Sequence, residues 1–361
     1  MSLHFHKITV RNIRKDTPVC ISVSFDIPGH LENEFRFVHG QNITIRKNID
    51  GEELRRNYSI CSAPGEHEFR VAIKQMNGGK FSTWANQHLK EGDELDLLPP
   101  TGKFNTQLNP SARKKYLAFA AGSGITPIMS ILKTTLQTEP LSQFTLVYGN
   151  RNRKSIIFRE ELENLKNTSM NRLQVIHILS REMTDSQVNH GRINTVKCEE
   201  LCNRLLDISS YDEIFICGPE EMIFSVKNFM EEKGVPQEHI HFELFTTPVL
   251  HQKELAASPV KEVKNTKTIS TIHIRLDGIV SSFPLSSEGD TILNAALKHG
   301  IDLPYACKGG VCSTCRARLQ EGQVEMDLNY ALEAEEVEKG FILTCQSHPK
   351  TDSVFVDFDA R

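Results

Sequence analysis

The chain has 361 residues, of which 39% are hydrophobic and 24% charged, and a formal net charge of −4 at pH 7. This length suggests two or three domains, and the composition is typical of a soluble globular protein rather than a disordered or fibrous one. No stretch approaches the roughly 20 apolar residues of a membrane span, and the first residues show no secretory signal, so we expect a cytoplasmic protein. The net charge gives no general affinity for nucleic acid.

The first hundred residues predict a β-rich domain, which we assign to residues 1–108. Short strand-like segments alternate with Gly, Pro and Asn, and such regular short strands indicate a barrel or a sandwich. The predicted strands are Phe5–Val10, Val19–Phe25, Asn42–Arg46, Tyr58–Cys61, Glu68–Ile73 and Glu94–Leu98.

From Lys115 the pattern changes to apolar strand candidates that alternate with segments of helical length. This alternation predicts a parallel sheet wound with helices, which we assign to residues 109–247. The predicted strands are Tyr116–Ala120, Phe144–Tyr148, Leu173–Leu179 and Glu213–Cys217. The predicted helices are Pro127–Thr135, Arg159–Lys166, Glu199–Leu206 and Glu220–Lys233.

Residues 248–268 predict a linker, because they contain no aromatic residue and no sustained periodicity. The charge balance also changes across this segment. Residues 269–361 carry 8 lysines and arginines against 14 aspartates and glutamates, a net charge of −6, whereas the rest of the chain carries 34 against 32. An acidic third domain therefore follows a nearly neutral body.

Four of the nine cysteines lie in this third domain. Four, two and 29 residues separate them, the spacing of plant-type ferredoxin ligands around a [2Fe–2S] cluster. Gly309 and Gly310 allow the first loop to curl so that backbone N–H groups approach the sulfurs. A zinc site or unliganded buried cysteines are the alternatives, but structural zinc usually takes paired C-x2–4-C ligands. The proposed ligands are Cys307, Cys312, Cys315 and Cys345.

Taken together, the nine cysteines do not predict a disulfide framework. Their odd number, the length of the chain and the lack of an export signal all argue against one. Cys198 and Cys202 could share one helix face as metal ligands, but no second pair accompanies them. We interpret these two, together with Cys20 and Cys61, as structural.

Two motifs in the β-rich domain contain groups that could hold a flavin. In Arg56-Asn57-Tyr58-Ser59, the guanidinium offers a fork for pyrophosphate, the ring can stack on a flat flavin and the hydroxyl can bind a ring nitrogen. In Gly78-Gly79-Lys80-Phe81-Ser82, a Gly-rich turn enters a predicted helix, whose N–H groups could hold a phosphate. Each motif alone is explained equally well by an ordinary surface strand or loop.

Gly122-Ser123-Gly124-Ile125-Thr126-Pro127 follows a strand and opens a helix, which is where dinucleotide phosphates bind. It departs from the usual fingerprint because Pro127 replaces the third Gly or Ala, and two glycines alone could be only a tight turn. Further along, Ser180-Arg181 ends a predicted strand. A hydroxyl beside a guanidinium suits a 2′-phosphate, whereas NAD specificity would favour a carboxylate, such as Glu182 next to them.

Taken together, these motifs resemble the ferredoxin–NADP reductase superfamily, which shows Arg-x-Tyr-Ser and Gly-x-Gly-x-x-Pro at the corresponding places. The resemblance covers the whole chain. It implies a multidomain β + α/β + α+β fold: an antiparallel flavin-binding β-barrel, a Rossmann-like parallel-sheet nucleotide domain and a β-grasp [2Fe–2S] ferredoxin domain at 269–361. The diphosphate loop implies FAD rather than FMN, and Ser180-Arg181 implies NADPH rather than NADH.

The resemblance also implies roles for individual residues. The implied catalytic residues are Tyr58, Ser59, Cys217 and Glu243. The implied cofactor-binding residues are Arg56, Tyr58, Ser59, Ile73, Lys74, Gly79, Lys80, Phe81, Ser82, Gly122, Gly124, Thr126, Pro127, Arg151, Ser180, Arg181, Cys217, Gly218, Pro219 and Phe245. A buried cysteine before a turn is the alternative for Cys217, and a simple edge strand is the alternative for the segment around Glu243 and Phe245.

The resemblance implies an oxidoreductase that passes electrons from NADPH through FAD and the [2Fe–2S] cluster to a partner protein. The domain order is similar to that of reductase components of multicomponent oxygenases, so the expected partner is a terminal oxygenase. A fatty-acid desaturase or another one-electron acceptor protein remains an alternative partner. A redox-sensing iron–sulfur protein without turnover is the alternative from a different class. The acidic third domain suggests a partner with a basic docking patch.

Overall fold

The computed structural model describes residues 4–245 and 269–360, so the predicted linker lies outside the described residues. Residues 6–54 and 58–244 form one compact unit, and residues 269–360 form the body of a second. Among these described residues, no helix is long and apolar enough to cross a membrane.

The N-terminal part folds as a six-stranded β-barrel in the order β4-β3-β6-β1-β2-β5. Ile60 continues beyond β4 and bridges to Val71 on β5, so the two outer strands meet and the sheet closes. Inward residues such as Ile8, Val23 and Ile45 are fully buried in its core. The strands are β1 (His6–Thr17), β2 (Cys20–Asp26), β3 (Asn42–Ile49), β4 (Glu52–Ser59), β5 (Phe69–Lys74) and β6 (Glu94–Leu97), and helix α1 spans Lys80–His88.

The middle part is a parallel five-stranded sheet in the order β11-β10-β7-β8-β9. From the central strand β7 the chain winds first towards β9 and later towards β11, so the topological switch point lies between β7 and β10. The strands are β7 (Lys115–Ala121), β8 (Gln143–Asn150), β9 (Leu173–Leu179), β10 (Glu213–Cys217) and β11 (Ile240–Glu243). The helices are α2 (Ile125–Thr138), α3 (Arg159–Thr168), α4 (Thr195–Arg204) and α5 (Glu220–Glu232).

The C-terminal part is a mixed sheet in the order β13-β12-β18-β14-β16, with the two-stranded sheet β15-β17 beside it. Its own apolar core includes the helical residues Leu293 and Ala296 and the ligand candidates Cys315 and Cys345. The elements are β12 (Ile269–Leu276), β13 (Ile279–Ser286), α6 (Ile292–Lys298), β14 (Arg316–Glu321), β15 (Val324–Met326), α7 (Ala334–Glu338), β16 (Phe341–Leu343), β17 (Ser347–Pro349) and β18 (Ser353–Asp357).

The predicted fold class is confirmed, whereas some element bounds differ. The strand predicted at Tyr58–Cys61 begins earlier, at Glu52, because barrel pairing tolerates its polar first half. The helix predicted at Glu199–Leu206 begins at Thr195, where the Asn194 side chain accepts the N–H of Lys197 and caps the first turn.

Candidate active site and cluster site

The predicted flavin motif lies on β4. Arg56 is exposed, Tyr58 is half-buried and Ser59 is buried. The Tyr58 ring lies 5.7 Å from the ring of Phe81, which is itself fully buried in the barrel core. Phe81 therefore supports Tyr58 from the core, and its own ring has no exposed face for a ligand.

The predicted diphosphate turn lies directly before α1. Gly78 has a φ of 73°, and a Cβ on Gly79 would lie 2.6 Å from Oγ of Ser82. That hydroxyl accepts the N–H of Met76 at 3.1 Å and donates to the carbonyl of Gly79 at 3.2 Å. Only glycine fits this tight turn, and the first N–H groups of a helix have no partner within the helix. The cradle therefore fits a diphosphate, and the exposed Lys80 beside it pairs with Glu52.

Ile73 and Lys74 end strand β5. Ile73 is fully buried in the barrel core. Lys74 points its ammonium towards the nucleotide turn, because a Cβ on Gly122 would lie 3.0 Å from its Nζ. Burial and the nearby Arg151 guanidinium lower the pKa of Lys74. Among the described carboxylates none forms an ion pair with Lys74, so its charge is available to an anion.

The predicted nucleotide turn connects β7 to α2. Gly122 has a φ of 54°, and its carbonyl accepts the hydroxyl of Tyr148 at 3.1 Å. A Cβ on Gly124 would lie only 2.0 Å from the carbonyl oxygen of Cys217, so any other residue would force the turn away from β10. Pro127 sits in the first turn of α2, where its missing N–H breaks no hydrogen bond. Thr126 donates its hydroxyl to the carbonyl of Ser123 at 3.0 Å.

Three of the predicted catalytic side chains meet at the switch point. Cys217 at the end of β10 pairs in register with Glu243 on β11, and Ser59 donates its hydroxyl to Oε2 of Glu243 at 3.2 Å. Burial raises the pKa of Glu243 to about 7, although hydrogen bonds from Ser59 and Asn42 oppose the shift. Burial, assisted by Glu243, also raises the pKa of Cys217. The thiol is therefore neutral, and the carboxyl titrates near neutral pH.

Asn42 is the member of this group that sequence reasoning missed. It begins β3, and its backbone N–H and carbonyl both bond to Thr101. A strand-initial asparagine matches no motif, so nothing local in the sequence indicates that its side chain reaches a carboxyl some 200 residues away.

The segment after β10 is also tightly packed. A Cβ on Gly218 would lie 2.6 Å from Cε of Met222 and 3.2 Å from Ala121, so a larger residue would require the end of the Met222 side chain to move. Pro219 follows as the N-cap residue of α5. Phe245 lies two residues beyond β11 and is 39% exposed.

The candidate 2′-phosphate residues lie at the ends of two adjacent strands. The N–H of Ser180 bonds to the carbonyl of Asn150, and the N–H of Arg181 bonds to that of Arg151, at 2.9 and 2.8 Å. Both arginines are exposed, and neither forms an ion pair with any described carboxylate. Glu182 is engaged by Arg153, through the backbone N–H at 2.8 Å and through Nε at 3.4 Å. The arrangement presents two guanidiniums and one hydroxyl.

The four cluster cysteines converge within the C-terminal domain. The Cys307 thiol hydrogen-bonds with those of Cys312 and Cys345, and Cys345 also with Cys315. The N–H of Gly309 donates to Sγ of Cys307 at 3.3 Å, and the pKa of Cys307 is well below its usual value. Each iron of a [2Fe–2S] cluster takes only two protein thiolates, so this donor set fits a cluster shared between the loop and the later segment.

The remaining cysteines show no such convergence. Cys198 and Cys202 lie one turn apart on α4, and burial raises the pKa of both thiols. Burial also raises the pKa of Cys20 and Cys61. Among the described residues, the cluster cysteines included, no group of three or more His, Cys, Asp and Glu side chains is arranged around a single metal ion, and each iron of a [2Fe–2S] cluster takes only two protein thiolates.

Three regions of the chain match known protein families. Residues 9–106 match the oxidoreductase FAD-binding domain, residues 119–228 the oxidoreductase NAD-binding domain and residues 274–350 the 2Fe-2S iron-sulfur cluster binding domain. One subunit of 1,2-phenylacetyl-CoA epoxidase from Escherichia coli K12 is 42% identical over 99% of this chain and 98% of its own length. The chain belongs to the ferredoxin–NADP reductase superfamily.

One further relative and one solved structure are also similar to the chain over nearly its whole length. The ferredoxin reductase component of 3-ketosteroid-9-alpha-monooxygenase from Rhodococcus rhodochrous is 32% identical over 97% of this chain and 96% of its own length. The crystal structure of phthalate dioxygenase reductase is similar in fold, with a TM-score of 0.55, 21% identity and 98% coverage of both chains. The reductase is thus an oxidoreductase with FAD-binding, NAD-binding and [2Fe–2S] domains.

Proposed function

We propose that this chain is the NADPH-dependent reductase component of an oxygenase system, with a terminal oxygenase similar to phenylacetyl-CoA epoxidase as its electron acceptor. The 42% identity with one component of that epoxidase, over essentially the whole length of both chains, carries this proposal. When bound, the flavin accepts a hydride and the cluster carries single electrons, so a two-electron donor can serve a one-electron acceptor. None of the nine cysteines, all of which lie among the described residues, forms a disulfide, which supports a reducing compartment, and we place the reductase in the cytoplasm.

Residues of the barrel hold the flavin in this proposal. Tyr58 stacks on the ring system, Ser59 bonds to its polar edge and Arg56 pairs with the diphosphate. The first turn of α1, which begins at Lys80 directly after Gly79, provides backbone N–H groups to the same diphosphate. The close fit of Gly79 against Ser82 supports this assignment, because a Cβ on Gly79 would lie 2.6 Å from Oγ of Ser82 and would change the entry of the turn into α1.

The residues at the switch point position the nicotinamide, and one of them can bind and release a proton. Cys217 contributes a small neutral side chain to the site. Gly124 keeps the phosphate turn in contact with the backbone carbonyl of Cys217. Glu243, with a pKa of about 7, can hold or release a proton at working pH, and Ser59 donates to its ionised form. Neither side chain forms a covalent intermediate in this proposal, since the Cys217 thiol is neutral.

The charges at the adenosine end favour NADPH over NADH. Arg151 and Arg181 stand on neighbouring strand ends without carboxylate partners among the described residues, and Ser180 precedes Arg181 and pairs with Asn150. The carboxylate expected to oppose a 2′-phosphate is that of Glu182, and Arg153 already neutralises it. Bidentate guanidinium contacts are well suited to a phosphate monoester.

Replacing Arg181 tests the choice of nucleotide. Arg181→Ala should raise the KM for NADPH by roughly 10- to 100-fold, in line with a charged hydrogen bond of about 1.5–3 kcal/mol, while the KM for NADH stays nearly constant. Initial rates of flavin reduction with each nucleotide provide the measurement. Arg159→Ala, which removes an exposed arginine from α3, is the control with the same charge change. An undiminished NADPH preference in Arg181→Ala would contradict this assignment.

Replacing a cluster ligand tests the electron route. Full-length Cys312→Ala should retain flavin bleaching by NADPH and lose reduction of the partner oxygenase, because only the cluster connects the flavin to a one-electron acceptor. Stopped-flow absorbance follows bleaching, and epoxidase-type turnover follows delivery. Cys202→Ala removes a half-buried thiol outside the cluster and should behave like the wild type. If NADPH left the wild-type flavin coloured, a redox sensor without turnover would be the better description.

A further inference from the structure

A buried ion network joins the barrel to the nucleotide-binding sheet within one compact unit. Lys133 on α2 is only 2% exposed, and its ammonium donates to Oε2 of Glu66 at 2.6 Å and to Oε1 of Glu161 at 2.9 Å. Arg70 on β5 donates from Nη2 to both oxygens of Glu161, at 2.8 and 2.9 Å. Glu66 and Arg70 belong to the barrel, whereas Lys133 and Glu161 belong to the helices around the parallel sheet.

The charges of this network depend on one another. Burial alone would raise the pKa of Glu161, but Lys133 and Arg70 outweigh that effect and hold it below its usual value. If Lys133 were removed, Glu66 would lose its ion-pair partner and Glu161 would keep only arginines. Apolar side chains of similar size would join two surfaces at least as firmly, so such a network is better suited to fixing a geometry than to adding stability.

Helix α2 connects the ion network to the nucleotide turn. Ser130, one turn before Lys133, donates its hydroxyl to the carbonyl of Ser62 at 2.6 Å, so α2 contacts the barrel at two successive positions. Ser62 follows Ser59 by three residues in the chain, and α2 begins immediately after Gly124. A helix is rigid over this length, so the contacts at Ser130 and Lys133 set the distance between the flavin strand and the phosphate turn.

We propose that Lys133, with Glu161 and Arg70, is a positioning group for hydride transfer that holds the nucleotide-binding turn in register with the flavin-binding strand. This inference rests on the proposed function, since it assigns the network a role in bringing the nicotinamide and the flavin together. Hydride transfer is sensitive to such alignment, because a misplacement of about 1 Å can cost roughly 100-fold in rate.

Lys133→Met in the full-length holoenzyme removes the charge and keeps most of the side-chain volume. The limiting rate of flavin bleaching at saturating NADPH should fall by roughly 10- to 100-fold. The dissociation constant of NADP⁺, measured from flavin difference spectra, should change by no more than about threefold, because the network aligns the bound nucleotide and does not set its affinity. Amide hydrogen exchange at Ile125, Thr126, Ile128 and Met129 should accelerate, which provides a readout independent of turnover. Lys133→Arg should restore part of the rate.

The matched control is Glu163→Gln, which breaks the exposed ion pair with Arg159 on α3 and should leave rate and exchange unchanged. If Lys133→Met cannot be obtained folded, Ser130→Ala removes a single hydrogen bond at the same contact and should slow bleaching several-fold. Wild-type bleaching and exchange in the variant obtained would overturn the inference and leave the network a purely structural role. Failure of NADPH to bleach the wild type would instead refute the proposed function, and the exchange measurement would still test the network.

Discussion

Burial of the Glu243 carboxyl between β10 and the barrel raises its pKa to about 7, against an ordinary value of 4.5. Between these two values the folded protein binds more protons than the unfolded chain. Stability therefore falls as the pH rises through this window, because ionising the buried carboxyl is costly. The hydrogen bonds from Ser59 and Asn42 reduce that cost without removing it.

Glu243→Gln should remove this pH dependence. Above pH 7 the variant should unfold on the order of a few degrees higher than the wild type, and the difference should vanish below about pH 4.5. Thermal unfolding of both proteins from pH 4 to pH 8 measures the difference, in which the titration of all other groups cancels. The exposed Glu238→Gln is the control and should follow the wild-type curve. If the unfolding temperatures of Glu243→Gln and the wild type differed by the same amount at every pH, Glu243 would have an ordinary pKa.

At the scale of elements, the turn between β7 and α2 depends on a single close approach. The missing side chain of Gly124 allows the turn to touch the carbonyl of Cys217, and the resulting contact joins the two strands on either side of the switch point. The two-glycine motif was visible in the sequence. The sequence does not show why position 124 needs glycine, because the group that the turn contacts lies on another strand, 93 residues later in the chain.

Gly124→Ala should therefore disrupt the nucleotide site and destabilise the protein. The added Cβ would lie 2.0 Å from the Cys217 oxygen, so either the turn or the end of β10 must move. We expect overpacking strain of about 1–3 kcal/mol, which should lower the unfolding temperature. The affinity for NADPH should fall more than the flavin content does. Gly29→Ala is the control, since a Cβ there meets no atom within 4 Å. Unchanged NADPH binding in Gly124→Ala would contradict the close approach.

At the scale of the whole molecule, charge is distributed unevenly along the chain. The ferredoxin domain carries a net charge of −6, and the remainder carries 34 basic and 32 acidic residues. Such asymmetry affects how fast a protein meets an oppositely charged partner more than how tightly it binds, since steering acts before contact. The acidic domain also contains the cluster, which is the last carrier in the proposed route.

Reduction of the partner oxygenase should accordingly slow as salt is added. Raising the ionic strength from about 0.05 to 0.5 M should lower the second-order rate constant for partner reduction by roughly tenfold or more, because screening shortens the range of attraction. Flavin bleaching at saturating NADPH, measured in the same buffers, is the internal control and should change little. A partner rate that is independent of salt would show that the acidic surface plays no part in docking.

The sequence by itself determined the fold class of the three parts and the positions of the glycine turns, and it predicted the cluster cysteines. These signals are local: Cys307 to Cys315 span nine residues, and a turn that needs glycine shows it within a few positions. Bounds of polar strands such as β4 were less visible, because barrel partners rather than local pattern decide them.

Only the tertiary structure decided which side chains share a site. Ser59 and Glu243 are 184 residues apart, and Arg70 and Glu161 are 91 apart, so neither contact leaves a pattern in the sequence. The pKa of Glu243 follows from the desolvation that this packing imposes, and so does the buried position of Lys133. Local conformational preferences are written in neighbouring residues, whereas burial and hydrogen bonding between distant residues exist only once the chain has folded.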